Sequence, residues 1–287
     1  MIHFHRYSWV YVLISSLVIG VGLYSIITFG YRFSIDFTGG TTLAYKVKNT
    51  VEKKDVEKSI SSKKIKIVNL DIQQKTIHIK TSAVTDEQEK AIQADIKKLS
   101  KADVQVLRYE TVGPTLGKET GQKTIIAVFI AIAGILLYMS FAFKGFNYAL
   151  SAVLAMAHDF LVVLGSYSLL SNLFGAEFDL LFVTALLTTM SFSLHDTIII
   201  FDKIREDAKG RDTSSMEQLA DKAVTETMVR SLNNSMTIVF MMLALLLMGG
   251  STIRFFIATL LIGTITGTYS SPFVATPLLV WLEKRKK

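Results

Sequence analysis

The sequence predicts an α-helical polytopic membrane protein with six transmembrane helices and an external α+β domain of ferredoxin-like type (β-α-β-β-α-β) between helices 1 and 2. Three observations carry this. Half of the 287 residues are hydrophobic, only 3 are proline, and the mean hydropathy is +0.40, a balance unlike that of a soluble domain. Six apolar stretches each come close to the ~20 residues that cross a hydrocarbon core. A lysine-rich interval between the first two alternates apolar and polar residues in strand fashion and is broken by two short helical patterns.

The apolar stretches run over about 8–29, 122–143, 147–170, 179–202, 226–249 and 254–282. The first follows a short, mildly basic MIHFHRY, as in a signal peptide. Its apolar run is too long for such a peptide and no A-x-A site follows, so it reads as a signal anchor. Arg6, Lys144, the Lys203–Lys222 stretch and the closing Lys284, Arg285, Lys286 and Lys287 fall on one side, whereas loop 171–178 lacks Lys and Arg. The positive-inside rule makes that basic side cytoplasmic, with both termini there. The expected organisation is 1–30 as cytoplasmic N-terminus and first helix and 31–121 as external domain. The five-helix domain 122–287 follows, with a cytoplasmic loop at 203–225.

The chain has no cysteine, which excludes a disulfide framework, thiol chemistry and cysteine-ligated metal. Its net charge of +7 raises the question of nucleic acid, but most of the excess lies between Lys46 and Lys123, in the external segment. No nucleic-acid partner is expected.

Within 31–121, a strand from Thr42 to Val47 precedes a charged helix from Val51 to Ser61, and "KIKIVNL" and "KTIHIKT" give two more strands. Thr85 and Gln88 form a capping box for a helix to about Leu99, and "DVQVLRYE" is the last strand. This is the order of a ferredoxin-like split unit. His78 has no acid or nucleophile near it in sequence and reads as a solvated or packing residue. Gly39-Gly40 lacks the Gly-Lys-Ser/Thr ending of a phosphate loop; it suits a sharp backbone turn.

The polar groups inside the apolar helices are the informative ones, since an ionisable side chain at membrane depth costs roughly 2.5–3.5 kcal/mol. Thr189, Ser193 and Asp196 share one face of the fourth span, and His195 lies about 100° round the helix. Arg230, Asn233, Asn234 and Thr237 cluster on the fifth, which runs antiparallel to the fourth. Their depths match, so Asp196 and Arg230 are expected to meet. Two readings of the pair are open: a static ion pair that fixes packing, or a proton switch in which an ionised Asp196 holds the arginine and a protonated one releases it. Asn233, Asn234, Thr189 and Ser193 could then satisfy the partner left alone. His158-Asp159 in the third span is a second adjacent pair, for which a relay and a helix-to-helix hydrogen bond are both open; so are proton carriage and simple hydrogen bonding for His195. Neither His-Asp dipeptide has the further ligands that a metal site needs, and no catalytic constellation is found. Gly263, Gly267 and Ser271 form a small-residue stripe for helix packing in the last span, which Pro272 and Pro277 interrupt.

With these segments in hand, the chain resembles the SecF family, the smaller membrane subunit of the bacterial SecDF complex in the RND superfamily. Ser34-Ile35-Asp36-Phe37-Thr38-Gly39-Gly40-Thr41 resembles the family's segment after the first span, and Val112-Gly113-Pro114 with Gly117 and Glu119 its segment before the second. Ala157-His158-Asp159, the run Asp196–Glu206 and Arg230-Ser231-Leu232-Asn233 are similar to its motifs in the third, fourth and fifth spans. The resemblance implies a non-enzymatic role beside SecD and the SecYEG channel, in which the proton motive force helps draw a translocating polypeptide across the membrane; sodium replaces the proton in some members. It places the coupling carboxylate on Asp196 and the functional arginine on Arg230, and it implies no cofactor. His195 stands where the family usually has Asn, and Ser191 where it usually has Gly. An RND-type exporter component for lipids or small hydrophobic molecules is the alternative, and a structural assembly factor with an inert pair is a third class.

Overall fold

The structure, a computed structural model, describes residues 7–73, 75–142, 145–209 and 214–285. Arg6, Lys144, Lys286 and Lys287, which contribute to the expected orientation, lie outside the described residues. The helices in chain order are α1 (Ser8–Phe29), α2 (Ile35–Thr38), α3 (Lys53–Ser62), α4 (Asp86–Ser100), α5 (Pro114–Ala142), α6 (Phe146–Phe174), α7 (Leu180–Lys209), α8 (Met216–Met248), α9 (Arg254–Ser270) and α10 (Thr276–Lys284). The four longer strands are β1 (Gly40–Lys46), β2 (Ile67–Gln73), β3 (Thr76–Thr81) and β4 (Gln105–Val112). They divide between two compact units, Phe33–Ile126 and the remainder.

In the smaller unit the four strands form one antiparallel sheet in the order β2-β3-β1-β4. Alternation along β3 buries Ile77, Ile79 and Thr81 and leaves His78 exposed. The core adds Leu43, Tyr45 and Val47 from the β1 segment, with Val56 and Ile60 of α3 and Ile92 and Ile96 of α4. Both capping-box bonds of Thr85 and Gln88 are made. Gly39 and Gly40 have φ of +68° and +128°, and the space beside them is taken: a Cβ on Gly39 would lie 2.7 Å from Pro114 Cα, and one on Gly40 2.6 Å from the Thr81 carbonyl oxygen. Gly117 is equally close to Gly39. The two glycines therefore do more than turn the chain. Gly39 lets the segment before β1 pack against the start of α5, and Gly40 lets β1 start close against Thr81 of β3.

The larger unit contains long apolar helices, and across the described chain six are long and apolar enough to cross a membrane. Helix α1 packs on α6 through Gly22 and Gly165, whose backbones approach so closely that a Cβ on either would fall 2.7 or 2.5 Å from the other's Cα. Ser25 and Ser168 hydroxyls bond at 2.9 Å along the same seam. The fourth and fifth spans extend beyond the expected 179–202 and 226–249. Helix α7 continues to Lys209 and α8 starts at Met216, so most of 203–225 is helical and not a loop. Ser215 and Gln218 cap α8 early. Lys203 then reaches Asp207 at 3.3 Å and Glu226 at 3.2 Å, and Lys222 reaches Asp207 at 3.3 Å. The last span is interrupted as its prolines predict: Ser271–Ala275 forms a π-helical turn at Pro272, and the Thr276 hydroxyl donates to the Ser271 carbonyl at 2.9 Å.

Candidate ion-coupling site

The site is built where α7 crosses α9. Small residues allow the approach: a Cβ on Gly263 would overlap the Thr189 side chain, and one on Gly267 would lie 2.9 Å from Ser193 Cα. Gly263 and Gly267 thus form the close contact that the stripe predicts, and its opposing surface consists of Thr189 and Ser193. Thr189 donates to its own Leu186 carbonyl at 2.8 Å, which satisfies the hydroxyl within α7.

Because the helices are this close, Ser193 reaches α6. Its hydroxyl donates to Asp159 Oδ2, which also accepts from Ser270 of α9 at 2.7 Å, while Oδ1 lies 2.8 Å from His158 Nδ1. Asp159 is 4% exposed. A second hydroxyl pair, Thr197 and Ser271 at 2.9 Å, continues the seam, and Ser271 also donates to the Gly267 carbonyl at 3.1 Å. Three helices meet on one carboxylate through neutral donors.

Asp196 is also buried, but the structure does not bring Arg230 to it. The α8 residue whose side chain acts on its carboxylate is Ser231, and His195 acts on it from α7. Arg230, Asn233 and Asn234 are exposed on the outer face of α8, and His195 is exposed on α7. Among the described residues Arg230 forms no ion pair. The expectation that Asp196 and Arg230 meet, with the two asparagines joining them, is corrected accordingly. Periodicity identified a polar face on α8, but the inward face lies elsewhere: Leu219, Ala220, Asp221, Ala223, Val224 and Met242 are buried, and Ser235 bonds Thr268 of α9 at 2.7 Å. One residue is about 100° of helix, so Arg230 and Ser231 point to different neighbours.

A cleft of about 130 Å³ lies beside this contact, lined by Ile200, Thr227, Ser231, Thr268, Pro272 and Phe273 among others. Its polar lining includes the Ser231 hydroxyl. Among the described residues no three His, Asp or Glu side chains come together as metal ligands. Sequence reasoning missed Ser231, Ser270 and Thr197. Their one sequence signal is position: Ser231 adjoins the arginine, Ser270 precedes the Ser-Pro break, and Thr197 follows the aspartate by one residue.

Six apolar helices around buried carboxylates define a multi-pass membrane protein. The family described as "Protein export membrane protein SecD/SecF, C-terminal" matches residues 91–285, and the "SecD/SecF GG Motif" matches residues 24–51. The chain belongs to the SecD/SecF family of protein-export membrane proteins. It is 38% identical to "Protein translocase subunit SecF" of Thermobaculum terrenum over 99% of this chain and 95% of that one. It is 33% identical to "Protein translocase subunit SecDF" of Thermus thermophilus over 90% of this chain and 35% of the relative. The crystal structure of Thermus thermophilus SecDF matches with a TM-score of 0.86 at 31% identity, covering 99% of this chain and 39% of that chain. This chain therefore spans about two fifths of the SecDF chain.

Proposed function

We propose that the chain is a SecF-like subunit of the bacterial Sec translocase. With SecD, it uses the proton motive force to promote export of polypeptides through SecYEG, and it carries out no covalent chemistry of its own. The observation that carries this reading is Asp196: a carboxylate buried among apolar helices, near the Ser231 hydroxyl and beside a cleft, in a chain of an export family. When Asp196 ionises, rotation of α8 by about one residue replaces Ser231 with Arg230 and supplies the counter-charge. The proton is the coupling ion in this reading, with sodium in its place as the variant.

The exposed polar residues support a membrane partner. His195 on α7 and Arg230, Asn233 and Asn234 on α8 lie in spans where lipid would leave them unsatisfied. A second six-span protein covers them, and the SecDF relative supports SecD as that partner. The smaller unit, with the strand order of a split β-α-β-β-α-β fold, serves as an external ferredoxin-like domain on the side away from the cytoplasm; the chain lies in the bacterial cytoplasmic membrane with both termini in the cytoplasm.

Export measured in membrane vesicles carrying Asp196→Asn at wild-type abundance tests the reading. Loss of the stimulation that depends on proton motive force is expected, and full stimulation overturns it. Co-purification in mild detergent separates the alternative: SecD and SecY are expected, and a chain that moves lipid on its own would make it an RND-type exporter component.

A further inference from the structure

Asp159 carries a hydrogen-bond set that the role given to Asp196 leaves unused. It lies near the middle of α6, about 20 Å from either helix end. No lysine or arginine pairs with it among the described residues. The groups facing it are His158 on its own helix, Ser193 from α7 and Ser270 from α9. The seam with α1 contributes Gly22 and Ser25 and no charge. Glu283 of α10 bonds Asn147, about three turns away along α6. Asp196, three residues beyond Ser193, faces α8 through Ser231.

Two features make this more than a packing contact. Ser270 Oγ has a second acceptor, the Gly267 carbonyl at 3.3 Å. Its proton can turn there when protonation at Oδ1 leaves Oδ2 a carbonyl oxygen, a weaker acceptor than a carboxylate. On the other side, His158 Nε2 is buried and has no hydrogen-bond partner among the described residues. A proton taken up by the Nε2 lone pair forms an Nε2–H bond. The Nδ1–H bond then breaks and its proton passes to Asp159 Oδ1. This leaves a neutral imidazole in the other tautomer and a neutral carboxylic acid, so charge and protons balance.

We propose that Asp159 is a second proton-binding site of this protein, loaded through His158 and read out by Ser270 at the π-helical hinge. Direct hydroxyl contacts on Oδ2 suit a proton, since a metal cation would have to force the oxygens apart. When Asp159 is ionised, Ser193 and Ser270 both donate to it and clamp α7 and α9 to α6. When it is protonated, Ser270 turns toward Gly267, and the clamp loosens one residue before Ser271–Ala275. The link to coupling rests on the export reading, whereas the protonation itself does not.

Infrared difference titration of the full chain in lipid nanodiscs, with any co-purified partner retained, tests the site. A protonated-carboxyl band that titrates in wild type and Asp196→Asn but is absent in Asp159→Asn is expected. Ser270→Ala should shift the frequency of that band, because the carboxyl loses a hydroxyl contact. His158→Asn keeps a donor for Oδ1 but cannot relay, so it should slow loading after a pH jump. No band assignable to Asp159 between about pH 4 and 10, or a band unaltered by Ser270→Ala, overturns the proposal. If the band titrates but Asp159→Asn retains full export stimulation, the coupling role is overturned. If wild-type chain gives no stimulation, the export reading fails while the proton site stands on its band.

Discussion

Ser193 Cα lies 2.9 Å from where a Cβ on Gly267 would sit. This approach of α7 and α9 puts the Ser193 hydroxyl on Asp159. The packing glycines and the buried polar network are one construction, and a side chain inserted at the crossing separates both.

Gly263→Ala and Gly267→Ala should each destabilise the protein by about 1–3 kcal/mol through overpacking. Gly134→Ala, with nothing within 4 Å of its Cβ, should be neutral or slightly stabilising. Thermal melting in detergent checks this, and equal melting of all three variants would contradict the tight crossing.

Gly39→Ala combines a left-handed backbone with a collision on Pro114. It should cost about 1–3 kcal/mol. Gly113→Ala meets nothing within 4 Å and should melt like wild type. The contrast is read by protease resistance of the full chain on warming.

Ser231→Ala removes the hydroxyl that serves the buried Asp196 and should destabilise by about 1–3 kcal/mol. Arg230→Met, altering an exposed side chain with no ion pair among the described residues, should stay within about 0.5 kcal/mol in the isolated chain. It should still abolish stimulation of export. Melting curves set against vesicle export separate the two effects.

Burial raises the pKa of Asp95, but hydrogen bonds from Ser59 and Lys63 outweigh it and hold the carboxyl below its usual value. Lys63 lies 3.0 Å away on the neighbouring helix segment. The folded state thus binds this proton more weakly than the unfolded state. Its contribution is present above the ordinary aspartate value of about 3.9 and is lost as pH falls from there through the lowered folded value. Asp95→Asn should lower stability by about 1 kcal/mol at pH 7 and by less at pH 3. Denaturant melts at the two pH values check this, and an equal loss at both would argue against the ion pair.

Reporters fused after residue 80 should be external, and those near residue 212 or at the C-terminus cytoplasmic, since lysines and arginines set the orientation. An external signal from residue 212 would reverse the assigned side of the Lys203–Lys222 cluster.

The sequence by itself determined the six apolar helices, the strand and helix order of the smaller unit, the Thr85 cap and the glycine stripe on α9. Each depends on local periodicity or on a single residue's stereochemistry, which neighbours along the chain disclose. It also singled out Asp159 and Asp196, because a carboxylate in an apolar helix stands out without knowledge of its surroundings. Tertiary structure alone decided who serves them. Helical spacing groups Arg230 with Asn233 and Asn234 on a polar face, but whether that face turns in or out depends on what α7 and α9 offer. They offer apolar side chains and the Thr268 hydroxyl, which leave an arginine without a counter-charge. Ser231 and Ser235 therefore take the inside and Arg230 the outside, just as Gly22 finds Gly165 and Ser270 finds Asp159, through helix crossings with no signal along the chain.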